Sequence, residues 1–288
     1  MFKFELSAFA DEVSESLPEQ IEALHRNDIG YMEIRGVGKR NIIHHSSKEI
    51  EILKDVLDKE HIKISSIGSP VGKTLIHDDF AADLKTISKA LSAAEALESK
   101  FIRIFSFYMP EAYMPEAEEP IKHRDEVLKR MEIFVRMAVK KRITLLNENE
   151  KGLYGDSPER CVDLMNELGC DNFKIVFDPA NFVQCGFDAY KHAYSMLKEH
   201  VAYFHVKDVR KADGINVPAG KGDGGIKDIL EALAKAEYKG FLSVEPHLYA
   251  FEGLQALERD PIHIEKSGDP MEHFGTAVSA LRDLLKDI

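Results

Sequence analysis

Eight short runs rich in Ile, Val, Phe and Leu punctuate the chain: Lys3–Ala8, Gly30–Arg35, Lys63–Gly68, Phe101–Ser106, Arg142–Glu148, Lys174–Asp178, Ala202–Val206 and Phe241–Glu245. Their length and their β-branched and aromatic content predict strands. The longer segments between them carry helical spacing. Ile50, Leu53 and Leu57 fall at i, i+3 and i+7. Cys161, Leu164, Met165 and Leu168 repeat at i, i+3, i+4 and i+7, as do Ile226, Ile229, Leu230 and Leu233, and Phe274, Val278, Leu281 and Leu285 extend the pattern to the end. Ser157-Pro158 reads as an N-cap with proline at the first helical position, and Gly169 stands where that helix should stop. Strands alternating with helices of this length imply parallel βαβ units.

No Gly/Ser linker, charge block or low-complexity tract divides the sequence, so the eight units predict one (β/α)8 TIM barrel spanning residues 1–288 as a single domain. A doubly wound open sheet is the alternative. It calls for a glycine fingerprint after the first strand, where this chain has Ser7-Ala8-Phe9-Ala10-Asp11-Glu12. Two segments exceed what strands and helices need. Ser106–Pro120 holds three prolines with Tyr108, Met109, Tyr113 and Met114; Leu248–Pro270 is rich in His, Asp and Glu. Both follow strands, so both are expected on the face where barrel active sites form, as lids or as packed surface excursions.

Charge narrows the partners. With 38 Lys+Arg against 50 Asp+Glu, the net charge is −12. That opposes a general nucleic-acid or anionic-membrane binder. No apolar stretch approaches the roughly 20 residues that span a bilayer, and the opening MFKFELSAFADEVSES turns acidic too early for a signal peptide. Cys161, Cys170 and Cys185 match no zinc spacing and are odd in number. The expectation is a reduced, cytoplasmic enzyme acting on a small molecule, as a monomer or homo-oligomer.

The chemistry concentrates at the ends of the last four strands, which read Leu145-Leu146-Asn147-Glu148, Val176-Phe177-Asp178, Tyr203-Phe204-His205 and Ser243-Val244-Glu245. Each apolar run stops at an ionisable group, and the groups are 30, 27 and 40 residues apart, about one βα unit each. Around a closed barrel, Glu148, Asp178, His205 and Glu245 can converge on one point. Three carboxylates crowded together raise one another's pKa unless a cation sits among them. Three oxygen donors and an imidazole suit one divalent ion, with Mn²⁺ the leading candidate and Mg²⁺, Co²⁺, Fe²⁺ or Zn²⁺ as alternatives.

Glu148-Asn149, Asp178-Pro179-Ala180-Asn181, His205-Val206-Lys207-Asp208 and Gly220-Lys221-Gly222 … Gly240-Phe241 … Val244-Glu245-Pro246-His247 resemble the sugar isomerase/epimerase superfamily with the xylose isomerase-like barrel. The similar group holds tagatose/psicose-type 3-epimerases, hydroxypyruvate isomerase and inosose dehydratase. The resemblance implies that Glu148, Asp178, His205 and Glu245 bind the metal and that Glu148 and Glu245 also serve as acid and base. Moving a proton next to a carbonyl requires a base, an acid and an electrophile that stabilises an enediolate. Proton return to the same carbon gives epimerisation and to its neighbour isomerisation, whereas loss of a β-hydroxyl gives dehydration of inosose or dehydroshikimate type. The chain departs from the epimerase pattern twice. Asn181 stands where those enzymes have a sugar-binding His, and Lys211, beside Arg210, stands where they have an Arg.

Further substrate-contact candidates are Glu33 and Arg35 on the second strand, Arg103 on the fourth, and Lys207 and His247, each two residues beyond a ligand. For Lys207 an ion pair with Asp208 is the structural alternative. The run Gly220–Gly225 lacks P-loop spacing and reads as a glycine turn entering a helix. An abasic-site endonuclease of similar fold would need more His ligands and a basic groove. A non-catalytic sugar-binding barrel is the remaining alternative.

Overall fold

The computed structural model describes residues 4–110, 119–250 and 268–288. Eight parallel strands close into a barrel: β1 (Glu5–Ala8), β2 (Tyr31–Ile34), β3 (Lys63–Gly68), β4 (Phe101–Ile104), β5 (Thr144–Glu148), β6 (Phe173–Phe177), β7 (Val201–Val206) and β8 (Phe241–Val244). Each strand pairs with its sequence neighbours. β1 closes the ring against β8, with Glu5 opposite Phe241 and Ala8 opposite Val244. The expected strands are all present, with ends shifted by a residue or two. β6 stops at Phe177 because Asp178 turns to cap the next helix, and β8 stops at Val244.

The helical spacings correspond to buried faces. Ile50 and Leu57 are buried on Ser47–Lys59; Cys161, Leu164 and Met165 on Pro158–Leu168; Ile226, Ile229, Leu230 and Leu233 on Ile226–Lys235; and Phe274, Val278 and Leu281 on Pro270–Lys286. The Ser157 hydroxyl accepts from the Arg160 amide, as an N-cap should. Gly169 ends that helix where a Cβ would run into the Met165 carbonyl. Burying these stripes against the outer faces of the strands stabilises the shell at roughly 25 cal/mol per Å² of apolar surface.

Of the two long segments, expected as lids or packed surface excursions, residues 111–118 and 251–267 lie outside the described residues. The described start of the first is well ordered by backbone pairing. The Phe105 and Tyr108 amides donate to the carbonyls of Val71 and Thr74, and the Phe107 amide donates to that of Gly72. This zips the loops after β3 and β4 together. Gly72 has φ +75°, and a Cβ there would meet the Phe105 carbonyl. Gly72→Ala is therefore expected to cost about 2–4 kcal/mol in urea unfolding, whereas Gly30→Ala, with open space around it, is expected to shift stability by less than about 1 kcal/mol.

Candidate active site at the carboxyl ends of the strands

Side chains on a strand alternate between its faces, so every second residue points into the barrel. A buried layer of Leu146, Val176 and Tyr203, with Phe101 and Phe241 packed on it, fills the interior. Two residues further along four of these strands come Glu148, Asp178, His205 and Arg103; four beyond Phe241 comes Glu245. All five are buried. The strand period thus lifts a charged layer directly above an apolar one.

Glu148, Asp178, His205 and Glu245 each present a ligand atom within 4.8 Å of the others. His205 Nδ1 lies 3.1 Å from Glu148 Oε1 and 3.4 Å from Glu245 Oε2. Its Nε2 lies 3.2 Å from Glu33 Oε2. Burial alone would depress the His205 pKa, but the Glu148 and Glu33 carboxylates hold it well above the ordinary histidine value. Burial likewise works against ionised Glu245, yet Lys207, His205, His247 and Arg35 hold its carboxyl well below the usual range. Glu148 is also lowered, by His205 and Arg103 against burial. Asp178 is pushed up to about 6 by burial, which outweighs the ammonium of Lys207 2.9 Å away.

The surrounding residues fix this geometry. Asn149 and Asp178 exchange hydrogen bonds: the Asn149 amide side chain donates to the Asp178 carbonyl (2.9 Å) and the Asp178 amide donates to Asn149 Oδ1 (3.0 Å). Asp178 Oδ1 accepts from the Asn181 amide, capping Pro179–Gln184. Asp208 accepts amide hydrogens from Val209, Gly220, Gly222 and Gly224. The glycine run is thus the expected turn into a helix and, in addition, a cradle for an internal carboxylate. Phe9 packs edge-on to His205, with ring centroids 5.3 Å apart.

Several expected substrate contacts take other roles. Glu33 faces His205 Nε2 from behind rather than the open cluster. Lys207 pairs with Asp178, not Asp208, because strand alternation sends Lys207 inward and leaves Asp208 to the glycine amides. Asn181 Nδ2 donates to the Asn149 carbonyl (2.8 Å) and lies 3.4 Å from Glu148 Oε1, next to the cluster. Arg35 is held by Asp11 through two hydrogen bonds and donates to Glu245 Oε1 (2.9 Å). Arg210 and Lys211 do not reach the cluster. Both are exposed on the turn between Asp208–Val209 and Asn216–Val217, where Asp213 engages the Arg210 guanidinium.

His247 reaches the rim through a turn rather than by continued extension. It adopts φ +44°, and its amide donates to Glu12 Oε2 (2.8 Å). Glu12, missed in the sequence, forms with Glu245 and His247 an adjoining set of potential ligands. Arg35 already occupies that flank, 3.6 Å from Glu12 Oε1. Lys73, Glu150 and Tyr108 form a second group at the rim: Glu150 Oε1 accepts from Tyr108 Oη and lies 2.8 Å from Lys73 Nζ. For Glu12 the available signal was the acidic pair Asp11-Glu12, placed just past a strand end like the candidate ligands.

The donor set fits a divalent cation. Glu148 Oε2, Asp178 Oδ2 and Glu245 Oε2 are buried and accept no well-oriented hydrogen bond among the described residues; they face Arg103 Nη1 at 3.3 Å, Lys207 Nζ at 2.9 Å and His205 Nδ1 at 3.4 Å. Unsatisfied buried carboxylate oxygens are costly unless a cation compensates them. Glu33 behind His205 also reproduces the outer carboxylate that orients a metal-binding imidazole.

Residues 21–266 match the xylose isomerase-like TIM barrel family. The chain belongs to that family. Among solved members of similar fold, a D-allulose 3-epimerase from Methylomonas sp. superposes with TM-score 0.75 at 15% identity, over 99% of each chain. A probable 3-DHS dehydratase, AsbF, from Bacillus anthracis gives 0.73 at 15% identity, over 97% of this chain and 98% of its own. An IolI protein with a bound zinc atom gives 0.72 at 15% identity over 99% of each. At these identities the likeness establishes the fold. No helix among the described residues is long and apolar enough to cross a membrane.

The geometry separates candidate ligands from supports. Asp178→Ala and His205→Ala are expected to abolish stoichiometric Mn²⁺ after dialysis, measured by mass spectrometry of metal content. Glu33→Gln should retain the fold, by circular dichroism, and weaken Mn²⁺ binding about 10–100-fold.

Proposed function

We propose that the protein is a divalent-metal-dependent isomerase or epimerase that moves a proton next to the carbonyl of a small sugar. The observation that carries this reading is the pair Glu148 and Glu245. Both belong to one buried four-residue set of potential ligands, and the cationic groups around them favour their ionised form. Mn²⁺ is the metal proposed, held by Glu148, Asp178, His205 and Glu245. When bound, it supplies an electrophile for the carbonyl and its neighbouring hydroxyl.

The chain's own groups account for the remainder. One glutamate removes the proton and the other returns it. The two come from β5 and from the turn after β8, with the β6 and β7 ligands between them in barrel order. Arg35 holds Glu245 Oε1, which orients that carboxyl. Asn181 Nδ2 sits near Glu148 and can bond to a substrate hydroxyl.

Dehydration is the second reading. It is favoured by the buried Lys207 ammonium, 2.9 Å from Asp178 and 3.8 Å from Glu245, a group able to give a proton to a departing hydroxyl. The likeness to a probable 3-DHS dehydratase supports keeping it.

The test is solvent exchange. Mn²⁺-loaded protein is incubated in D₂O with a panel of ketoses, oxo-glycosides and inososes, and deuterium is located by NMR. Incorporation at a carbon beside a carbonyl is expected, falling about 10²–10⁴-fold in Glu148→Gln and Glu245→Gln. Exchange that is unchanged in both variants contradicts the assignment.

A further inference from the structure

Among the described residues, Arg35, Lys73 and Lys207 at the rim each stand within 3 Å of a carboxylate oxygen. Arg35 donates to Asp11 and Glu245; Lys73 Nζ lies 2.8 Å from Glu150; Lys207 Nζ lies 2.9 Å from Asp178. Arg103 differs. It is 4% exposed, yet its Nε has no hydrogen-bond partner among the described residues. Its nearest acceptors are Glu148 Oε2 at 3.3 Å and Glu245 Oε1 at 3.7 Å from Nη1, both from carboxyls of the proposed metal set.

The guanidinium is also immobilised. Its carbon lies 5.2 Å from the Phe9 ring centre and 4.9 Å from that of Phe105. Cation–π packing against two aromatic rings fixes the planar group at little further entropic cost. A buried, pre-oriented guanidinium with unmet N–H donors is a receptor for a carboxylate, which it can take in two parallel hydrogen bonds. A sugar hydroxyl offers one acceptor atom and no charge, so it matches this group poorly. A role limited to neutralising Glu148 would favour a close pair of the kind Lys207 makes with Asp178.

We infer that the substrate carries a carboxylate, received by Arg103, and that the site acts on an oxo acid of sugar type rather than on a neutral ketose. This rests on the metal-dependent reading above and specifies the substrate class of that same site.

Isothermal titration of Mn²⁺-loaded protein tests it, with D-fructose against two oxo acids that carry a carboxylate at one or the other end of the same carbon skeleton, 2-keto-D-gluconate and D-fructuronate. The expected result is that at least one acid binds about tenfold or more tightly than fructose, the scale of one charge-assisted hydrogen bond. Arg103→Met should erase that preference. Arg103→Lys, which keeps the charge without the fork, should retain only part of it and guards against misfolding as the cause. Equal binding of all three compounds, no binding of either acid, or a preference that survives Arg103→Met overturns the inference. Failure of the protein to load Mn²⁺ overturns the metal-dependent reading and this inference together. Normal loading, with fructose bound as well as the acids, overturns this inference alone.

Discussion

The structure turns on a single electrostatic constraint: three carboxylates and an imidazole are buried on neighbouring strand ends, where water cannot screen them. Such a cluster is stable only if positive charge is supplied to it. In the described structure that charge comes from Arg35, Arg103, Lys207 and a His205 whose pKa is raised by the acids beside it. Among the described residues, Glu148 Oε2, Asp178 Oδ2 and Glu245 Oε2 still accept no well-oriented hydrogen bond, even with Lys207 Nζ 2.9 Å from Asp178 Oδ2. The residual demand explains why the barrel mouth reads as a cation site first and a substrate site second.

Much of the neighbouring structure serves to hold that cluster in place. Tyr203 lies two residues before His205 and is anchored by the Ser65 hydroxyl at 2.8 Å, so the strand is pinned just below the ligand. Asn149 ties the ends of β5 and β6 together through both donor and acceptor. The glycine loop surrounds Asp208, next to Lys207, with four backbone donors. Glycine is needed there because a Cβ at Gly222 or Gly224 would collide with the Asp208 carboxylate. Backbone amides thus fix a residue adjacent to the ammonium that faces Asp178.

The barrel and the convergence of Glu148, Asp178, His205 and Glu245 were legible in the sequence because strand burial and strand period are local properties. A run such as Ala202-Tyr203-Phe204-His205 shows both its apolar layer and its terminating ionisable group in consecutive residues. Partner choice was less legible. For Lys207 the sequence offered the adjacent Asp208 as an ion-pair partner, whereas the inward turn of the strand assigns it to Asp178. Arg210 and Lys211 were placed by analogy of spacing, but a hairpin turn carries them to the surface. Glu12 and Arg35 belong to opposite ends of the chain from Glu245, and their meeting depends on closure of β1 against β8. Closure is a property of the whole ring, so no segment announces it.

Crystals grown with Mn²⁺, with anomalous diffraction recorded, test the central claim most directly. The account predicts one strong peak about 2.0–2.3 Å from a donor atom of each of Glu148, Asp178, His205 and Glu245, with Lys207 Nζ withdrawn from Asp178. A peak elsewhere, or its absence with Lys207 still seated on Asp178, would contradict it.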